Sequence, residues 1–180
     1  MEMATQDRAF RLVPYRDTSA RIATAQQAET NVINAFQAAA LGTPRVREGY
    51  WYDLQQAGAS AYDGSNEITF ATGSNTYGFP DMVQLAITVP QAKAFCFYGI
   101  ADYTANPSLQ AVQFKQRDVS FPIIYLSPDI YTNEDHKAIF NGPLPGIEQN
   151  GPVTITLYGT SAGTDNIDIL FKLAEKSAQA

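Results

Sequence analysis

Apolar side chains recur at every second position over most of this chain, from about residue 46 to residue 173. A period of two places successive side chains on opposite faces of a β-strand, so that one face meets a core and the other a polar environment. The clearest alternating segments are 83–89, 119–125, 153–157 and 167–173. Less regular strand candidates are 48–54, 66–72, 93–101 and 110–117. The sequence therefore predicts about eight short strands.

No long helical segment separates these strands, and clusters of Gly, Asn, Asp, Ser and Pro lie between them as turns. Because an open sheet leaves unpaired edges, this inventory favours two packed sheets or a closed barrel. We predict an all-β fold, a single eight-stranded jelly-roll sandwich or barrel with an N-terminal arm and helix. An immunoglobulin-like sandwich is the alternative. The longest break, at 128–150, predicts a contact loop with a short helix capped by Thr132 or Asn133.

The segment 18–41 has a different pattern and predicts a helix. It is rich in alanine, and Thr18 and Ser19 are suitable N-cap residues. Such a helix is not stable alone in water, so it must lie on its own barrel or on a neighbouring subunit. We predict an arm and helix over residues 1–45 and a barrel domain over 46–180. The apolar stripe of the helix consists of Ile22, Ala25, Val32, Phe36 and Ala39.

Charge is sparse and unevenly placed along the chain. Charged residues make up 17% of the sequence, and the net charge is −6. Specific nucleic-acid binding is not expected, because phosphate contacts require Lys and Arg. Residues 1–47 are mildly basic, with six arginines against four acidic residues. This arm either touches a polyanion or an anionic membrane, or forms a solvated helix.

Few residues are suited to catalysis or metal binding. The chain contains one histidine, His136, and one cysteine, Cys96, which excludes an intramolecular disulfide and a zinc site of Cys and His ligands. Cys96 lies in an apolar run and is predicted to be a buried thiol. No G-x-S-x-G motif occurs around any serine. We therefore expect no enzyme activity, no cofactor and no metal.

Neighbouring carboxylates keep a hydrolase hypothesis open. Glu134 and Asp135 are adjacent, and Asp165 and Asp168 flank the start of the last predicted strand. The segment 165–168 could also offer oxygen ligands to calcium, although its spacing does not match an EF-hand loop. The alternative is that all these side chains are solvated at the surface.

An aromatic segment is the strongest binding candidate in the sequence. Tyr50, Trp51 and Tyr52 are consecutive, and Tyr62 and Tyr77 follow. Exposed aromatic rings stack on sugars and anchor protein interfaces. On a strand, Tyr50 and Tyr52 would share one face and Trp51 would take the other. A sugar-binding or receptor-binding module is therefore an alternative function, and a strand with half-buried tyrosines is the structural alternative.

The polar arm, the helix and the alternating segments combine in fewer than 200 residues, as Pro152–Gly159 and 166–173 illustrate. In this combination the chain resembles the small single-jelly-roll major capsid proteins of tailless icosahedral phages that have an internal membrane and infect thermophilic bacteria. The resemblance lies in the architecture of the whole chain and carries no catalytic residues.

The resemblance implies a barrel that stands upright in a shell, a terminal segment exchanged between subunits, and a second capsid protein as partner. It also implies contact with the internal membrane and a location in the virion. No apolar stretch approaches the ~18 residues of a membrane span and no signal core is seen, so we expect synthesis in the host cytoplasm. We expect self-association into dimers or larger through Ile22, Val32, Phe36, Tyr50, Trp51 and Tyr52.

Overall fold

The computed structural model describes residues 12–59, 66–70, 81–126, 134–159 and 163–177. These residues form two helices, α1 (Thr18–Ala38) and α2 (Trp51–Gln56). The strands are β1 (Pro44–Glu48), β2 (Glu67–Phe70), β3 (Asp81–Thr88), β4 (Lys93–Asp102), β5 (Leu109–Gln116), β6 (Val119–Ser120), β7 (Ile124–Tyr125), β8 (Lys137–Ile139), β9 (Pro152–Gly159) and β10 (Gly163–Lys176). No described helix is both long and apolar enough to cross a membrane.

The strands form two antiparallel sheets. The first sheet has the order β1–β10–β4–β8, and the second has the order β3–β9–β5–β6. β1 pairs with residues 172–176 of β10, and β2 pairs with residues 163–166 on the same edge, away from β4. β7 pairs with β5 next to β6 in the same way. The described strands therefore fill eight sheet positions.

The strand order is that of a jelly roll. Numbered along the chain, the positions run 1-8-3-6 in the first sheet and 2-7-4-5 in the second. The first and last positions are therefore neighbours, and most connections cross between the sheets, as in a double Greek-key sandwich. An immunoglobulin-like sandwich has a different order, in which the first two strands share a sheet as neighbours. The predicted all-β jelly-roll sandwich is confirmed.

The core between the sheets is built from the inward side chains of both. Phe171 of β10 lies 4.9 Å from Phe95 and 5.4 Å from Phe97 between ring centroids. Phe97 in turn lies 5.2 Å from Phe114 of the second sheet. Ile155 and the other inward residues of β9 are fully or almost fully buried against this aromatic cluster. The alternating apolar residues predicted for β3, β9 and β10 therefore do form the core between the sheets.

Helix α1 lies on the outer face of the first sheet. Asp17 caps it, because its Oδ1 accepts a hydrogen bond from the Ala20 amide at 3.0 Å, so the predicted caps Thr18 and Ser19 are wrong. Its buried positions recur every fourth residue, as the geometry of a helix face requires. They are Thr24, Ala28, Val32 and Phe36, packed over Ala94, Cys96 and Ala174 of the sheet.

Residues 12 and 13 continue the first sheet beyond its outermost strand. The Val13 amide donates a hydrogen bond to the Ile139 carbonyl at 2.8 Å, and Leu12 forms an isolated bridge with Phe140. β8 therefore has a partner on the side away from β4. Pairing of this kind satisfies an edge that would otherwise offer unpaired backbone groups to other chains.

Three sequence predictions of local structure are wrong. The strand predicted at 48–54 is instead the end of β1, a turn and helix α2. The segment 119–125 forms two short strands, and its buried residue is Ile124, because Pro122 interrupts the pairing. In the described part of 128–150, strand β8 forms where part of a short helix was expected. The proposed caps Thr132 and Asn133 lie outside the described residues.

Candidate functional site: a cleft on the first sheet and an exposed face on the second

A cleft of about 520 Å³ opens on the outer face of the first sheet, beside helix α1. Four aromatic side chains line it, and they come from the β1–α2 turn, from β4 and from the residue after β4: Tyr50, Trp51, Tyr98 and Tyr103. Polar side chains complete the lining, chiefly Glu48, Asn66, Lys137 and Asp168. The cleft therefore combines aromatic faces with hydrogen-bonding groups from five separate stretches of chain.

The β1–α2 turn carries two of these aromatic rings and depends on Gly49. A Cβ at this position would lie 2.1 Å from the Phe171 ring, so only glycine lets the chain cross that ring. Tyr50 then caps α2, and its amide donates to Asp53 Oδ2 at 2.8 Å. Tyr50 is 62% exposed at the mouth of the cleft, whereas Trp51 is half-buried and packs on the sandwich core.

An ion pair fixes α2 to β1. The Arg47 guanidinium donates to both oxygens of Asp53, at 2.9 and 2.8 Å, and to Glu175 of β10 at 3.2 Å. The Asp53 side chain is only 4% exposed. Burial alone would raise the pKa of Asp53, but the hydrogen bonds from Arg47 and the Tyr50 amide outweigh it and hold the pKa below its ordinary value. The turn is therefore held rigidly.

Tyr98 lies at a β-bulge of β4, on the outer face of the sheet that Ala94 and Cys96 also occupy. Leu170 of β10 pairs with Gly99, and the next residue, Phe171, pairs with Phe97, so Tyr98 is the extra residue. Its hydroxyl donates to Glu48 Oε2 at 2.8 Å. Burial, together with the Glu48 carboxylate, raises the pKa of Tyr98, so the hydroxyl remains a donor. Bulges commonly re-aim side chains beside functional sites.

The Glu48 carboxylate also binds a lysine at the edge of the cleft. Lys172 Nζ contacts Glu48 Oε1, and it lies 3.3 Å from Glu29 Oε1 on α1. Burial would lower the pKa of Lys172, but the hydrogen bond to Glu48 and the nearby Glu29 outweigh burial and raise it. Lys172 therefore keeps its charge, and that charge is engaged within the chain.

The opposite end of the cleft is formed around Asn66 and Tyr103. Asn66 Nδ2 donates to Asp168 Oδ1 at 2.9 Å. Tyr103 is 42% exposed, and its ring lies 6.2 Å from that of His136. Burial and the nearby Asp168 raise the pKa of Tyr103. None of these residues except Asp168 was a sequence candidate, because their proximity arises only from strand pairing.

A smaller cavity of about 300 Å³ adjoins the cleft and shares Tyr98, Lys137 and Leu170 with it. Helix α1 forms its other wall with Ile22, which is 52% exposed. The Arg21 guanidinium closes this wall by pairing with Asp135 at 2.7 Å. Ile22, predicted on the apolar stripe of the helix, therefore lines a surface cavity instead.

The structure separates the predicted contact residues. Val32 and Phe36 are fully buried on the face of α1 that packs on the first sheet, so in this structure they make contacts within the chain. Tyr52 is 57% exposed and does not line the cleft, although its ring touches Trp51 edge-on at 6.3 Å. The predicted placement of Tyr50 and Tyr52 on one strand face is wrong, because both belong to the start of α2. Tyr62 and Tyr77 lie outside the described residues.

The carboxylates considered for hydrolysis or calcium binding do not converge. Asp165 points into the sandwich and is 1% exposed, whereas Asp168 lies on the outer face of the same strand. Glu134 is exposed, and Asp135 is paired with Arg21. Among the described residues, no group of three or more His, Cys, Asp or Glu side chains is placed to hold a metal ion.

Cys96 is buried beneath α1, as predicted. Its Sγ donates to the Leu144 carbonyl at 3.1 Å. Burial raises the pKa of the Cys96 thiol to about 12, so it stays protonated at neutral pH. A protonated, inaccessible thiol is a weak nucleophile.

Two buried carboxyl groups meet where β4 turns toward β5. Asp165 Oδ2 accepts hydrogen bonds from the Ser108 and Leu109 amides at 2.8 and 3.0 Å. Asp102 is fully buried, and its Oδ1 accepts from the Thr104 amide at 3.0 Å. Burial, and the hydrogen bond shared with Asp165, raise the pKa of Asp102 to about 8. The pair therefore retains a proton at neutral pH.

This proton makes stability depend on pH with a defined sign. Because the unfolded chain releases it above about pH 4, the free energy of unfolding should decrease as pH rises from about 4 to 8. We expect Asp102→Asn, whose amide donates the same hydrogen bond, to raise the melting temperature by about 5 °C at pH 8 and to have little effect at pH 4. Thermal denaturation between pH 4 and pH 8 measures this change in melting temperature. The exposed Asp118→Asn is the control, and a lower melting temperature for Asp102→Asn at pH 8 would contradict the assignment.

The outer face of the second sheet differs from that of the first. We define the second-sheet face as the outward side chains of β3, β5 and β9, namely Met82, Gln84, Ala86, Thr88, Ala111, Gln113, Lys115, Pro152, Thr154, Thr156 and Tyr158. Of these residues only Lys115 is charged. Gln84, Ala86 and Thr88 are exposed along β3. This face is therefore almost uncharged; it is exposed along β3 and buried at Thr156 and Tyr158 of β9.

Comparisons with known proteins give no family. No protein-family model and no curated protein matches the chain. Several solved structures show weak similarity, including the following two. One is the Podospora anserina GH26-CBM35 β-(1,4)-mannanase, which is 12% identical, with 76% of this chain and 28% of that chain covered and a TM-score of 0.31. The other is the catalytic unit of the thermostable GH87 α-1,3-glucanase from Streptomyces thermodiastaticus, which is 11% identical, with 75% and 26% covered and a TM-score of 0.28.

This chain spans less than a third of the length of either protein. Scores of this size carry no argument about fold or function. The fold therefore rests on strand order, and the function on the two surfaces described above.

Proposed function

We propose that this chain is a structural subunit of an icosahedral virion shell, which associates with copies of itself and with a second shell protein. The observation that carries the proposal is the contrast between its two outer sheet faces. Helix α1 covers part of the first sheet, whereas the second-sheet face is exposed along β3 and carries one charge. The centres of protein interfaces are depleted of charge in this way.

Two further properties support a structural role. The jelly-roll order is one that viral capsid domains use. The chain is also poor in charge at 17%, below the ~25% of an average protein, which suits a subunit that buries much of its surface against neighbours.

Three arginines of the basic segment, residues 1–47, are already paired with carboxylates of the same chain. Arg21, Arg45 and Arg47 form ion pairs within the chain, to Asp135, to Glu175 and to both Asp53 and Glu175, respectively. The proposed contact with an internal membrane therefore depends on the residues before α1, where Arg16 is exposed. Cations near an anionic membrane surface contribute about 1 kcal/mol each.

The association state tests this function. We expect wild-type protein to be a dimer or larger in sedimentation velocity, and Gln84→Glu to weaken the association constant at least about tenfold, because an unpaired charge is costly in an interface. Gln26→Glu makes the same chemical change on the exposed side of α1 and should have no effect. A wild-type monomer at all concentrations, or equal effects of the two variants, would overturn the proposal.

A further inference from the structure

We propose that the cleft on the first sheet binds a neutral sugar ring at the end or branch of a glycan. This inference does not depend on the assembly proposal, because the two surfaces lie on opposite sheets and share no residue. Its basis is the combination of aromatic rings, planar polar groups and a lining with more carboxylates than cations in one preformed cavity.

The aromatic rings provide the surface for stacking. Tyr50 and Tyr103, at opposite ends of the cleft, are 62% and 42% exposed. Exposed rings of this kind bury the C–H faces of a pyranose while its hydroxyls stay free to form hydrogen bonds. The volume of about 520 Å³ lies within the ~300–1,000 Å³ of small-molecule sites.

The polar groups are suited to hydroxyls. The Asn66 amide and the Asp168 carboxylate are held side by side by their 2.9 Å hydrogen bond. An amide both donates and accepts, and a carboxylate accepts at two oxygens, so the pair can bind adjacent hydroxyl groups of one ring. At the other end, the Glu48 carboxylate accepts from the Tyr98 hydroxyl and contacts Lys172, and its remaining lone pairs can accept from a further hydroxyl.

The charges in the cleft disfavour an anionic ligand. The charged side chains that line the cleft are the carboxylates of Glu48 and Asp168 and the ammonium group of Lys137. Lys172 is already neutralised by Glu48 and Glu29. A phosphate, a sialic acid or a nucleic acid requires an excess of cations, whereas a neutral saccharide does not.

The walls of the cleft are fixed without a ligand. The Arg47–Asp53 pair holds the Tyr50 backbone, the hydrogen bond to Glu48 holds the Tyr98 ring, and Gly49 lets the turn pass close over Phe171. A preformed site loses little conformational entropy on binding, which is how weakly interacting hydroxyl ligands reach useful affinity.

A glycan array of neutral and acidic oligosaccharides, probed with the full chain, tests the inference. Hits are then titrated by the fluorescence of Trp51, which is the single tryptophan and lines the cleft. We expect saturable binding of at least one neutral glycan. Tyr50→Ala should weaken it about tenfold or more, and Asp168→Asn several-fold, in line with the loss of a stacking ring and of a charged hydrogen bond.

Tyr52→Ala is the matched control. Tyr52 lies two residues after Tyr50 and is about as exposed, but it lies outside the cleft. This variant should leave affinity on the array unchanged. The inference is overturned if no neutral glycan binds, if only acidic glycans bind, or if Tyr52→Ala and Tyr50→Ala weaken binding equally. None of these outcomes alters the sedimentation result expected for the second-sheet face.

Discussion

Ile155→Asp should abolish folding, whereas Thr154→Asp, one residue earlier, should leave the fold intact. Ile155 is fully buried in the middle of β9, between Leu85 of β3 and Phe114 of β5. A carboxylate there has no partner and replaces a core side chain, at a cost of about 5 kcal/mol or more. That loss is comparable with the whole stability of an ordinary domain, about 5–15 kcal/mol.

Thr154 faces the other way on the same strand. Its neighbours across the sheet are Ala86 and Lys115, so an aspartate at 154 stands opposite a lysine. Opposite charges in a cross-strand pair contribute about 0.2–1 kcal/mol of stabilisation. Circular dichroism and thermal denaturation of the two variants measure the contrast. If both unfolded, or if Ile155→Asp melted like wild type, the assignment of inward and outward faces would be wrong.

Arg47→Leu should produce the next largest loss, about 3 kcal/mol, because it leaves the buried Asp53 carboxylate without its partner. The melting temperature should fall by about 10 °C. Arg45→Leu removes an arginine that also contacts Glu175, but Arg45 is 62% exposed. Exposed pairs contribute at most about 1 kcal/mol, so this control should lose far less.

The pH dependence of stability provides a second test of the Arg47–Asp53 pair. The lowered pKa of Asp53 means that its contribution to stability is complete above the ordinary carboxyl pKa of about 4 and disappears as pH falls through the lowered value. Protonation also removes the orphaned charge in the variant. The difference between wild type and Arg47→Leu in urea denaturation should therefore shrink as pH falls from the raised pKa of Asp53 in the variant through its lowered pKa in wild type, and a difference independent of pH would contradict this role.

How far the sequence predicts the structure differs from element to element. The apolar residues at every second position of 153–157 in β9 and 167–173 in β10 enter the core, and both strands were predicted. The stripe of α1 was misjudged at Ile22, since the face that packs on the sheet includes Thr24, whose hydroxyl donates to the Phe140 carbonyl at 2.9 Å. A polar residue satisfied in this way carries no signal of burial in a hydrophobicity pattern.

The segment around Trp51 shows a local signal that was present and overlooked. Three consecutive aromatic residues favour a strand by propensity. Asp53, however, lies three residues after Tyr50, which is the spacing of a capping box, and Gly49 directly precedes Tyr50. This short-range hydrogen bonding starts a helix, and the ion pair between Arg47 and Asp53 stabilises that helix start.

The cleft itself could not be found from the sequence. Its lining comes from residues between 48 and 170, brought together by pairings of β10 with β1, β2 and β4. Tyr50 and Trp51 were predicted as binding residues, and the structure places both in the cleft. Tyr98 was read as part of an unbroken apolar strand, because a bulge leaves no mark on composition.

The extra residue at Tyr98 also limits how the length of β4 can vary. Before it, the odd-numbered Phe95 and Phe97 face the core. After it, the even-numbered Ile100 does, so the bulge shifts the alternation of the strand by one residue. Losing a single residue here would turn Ile100 from the core to the outer face of the sheet, unless the far half slipped along β10. Relatives that share this fold should therefore conserve the spacing between Phe97 and Ile100 more strictly than the residue types between them.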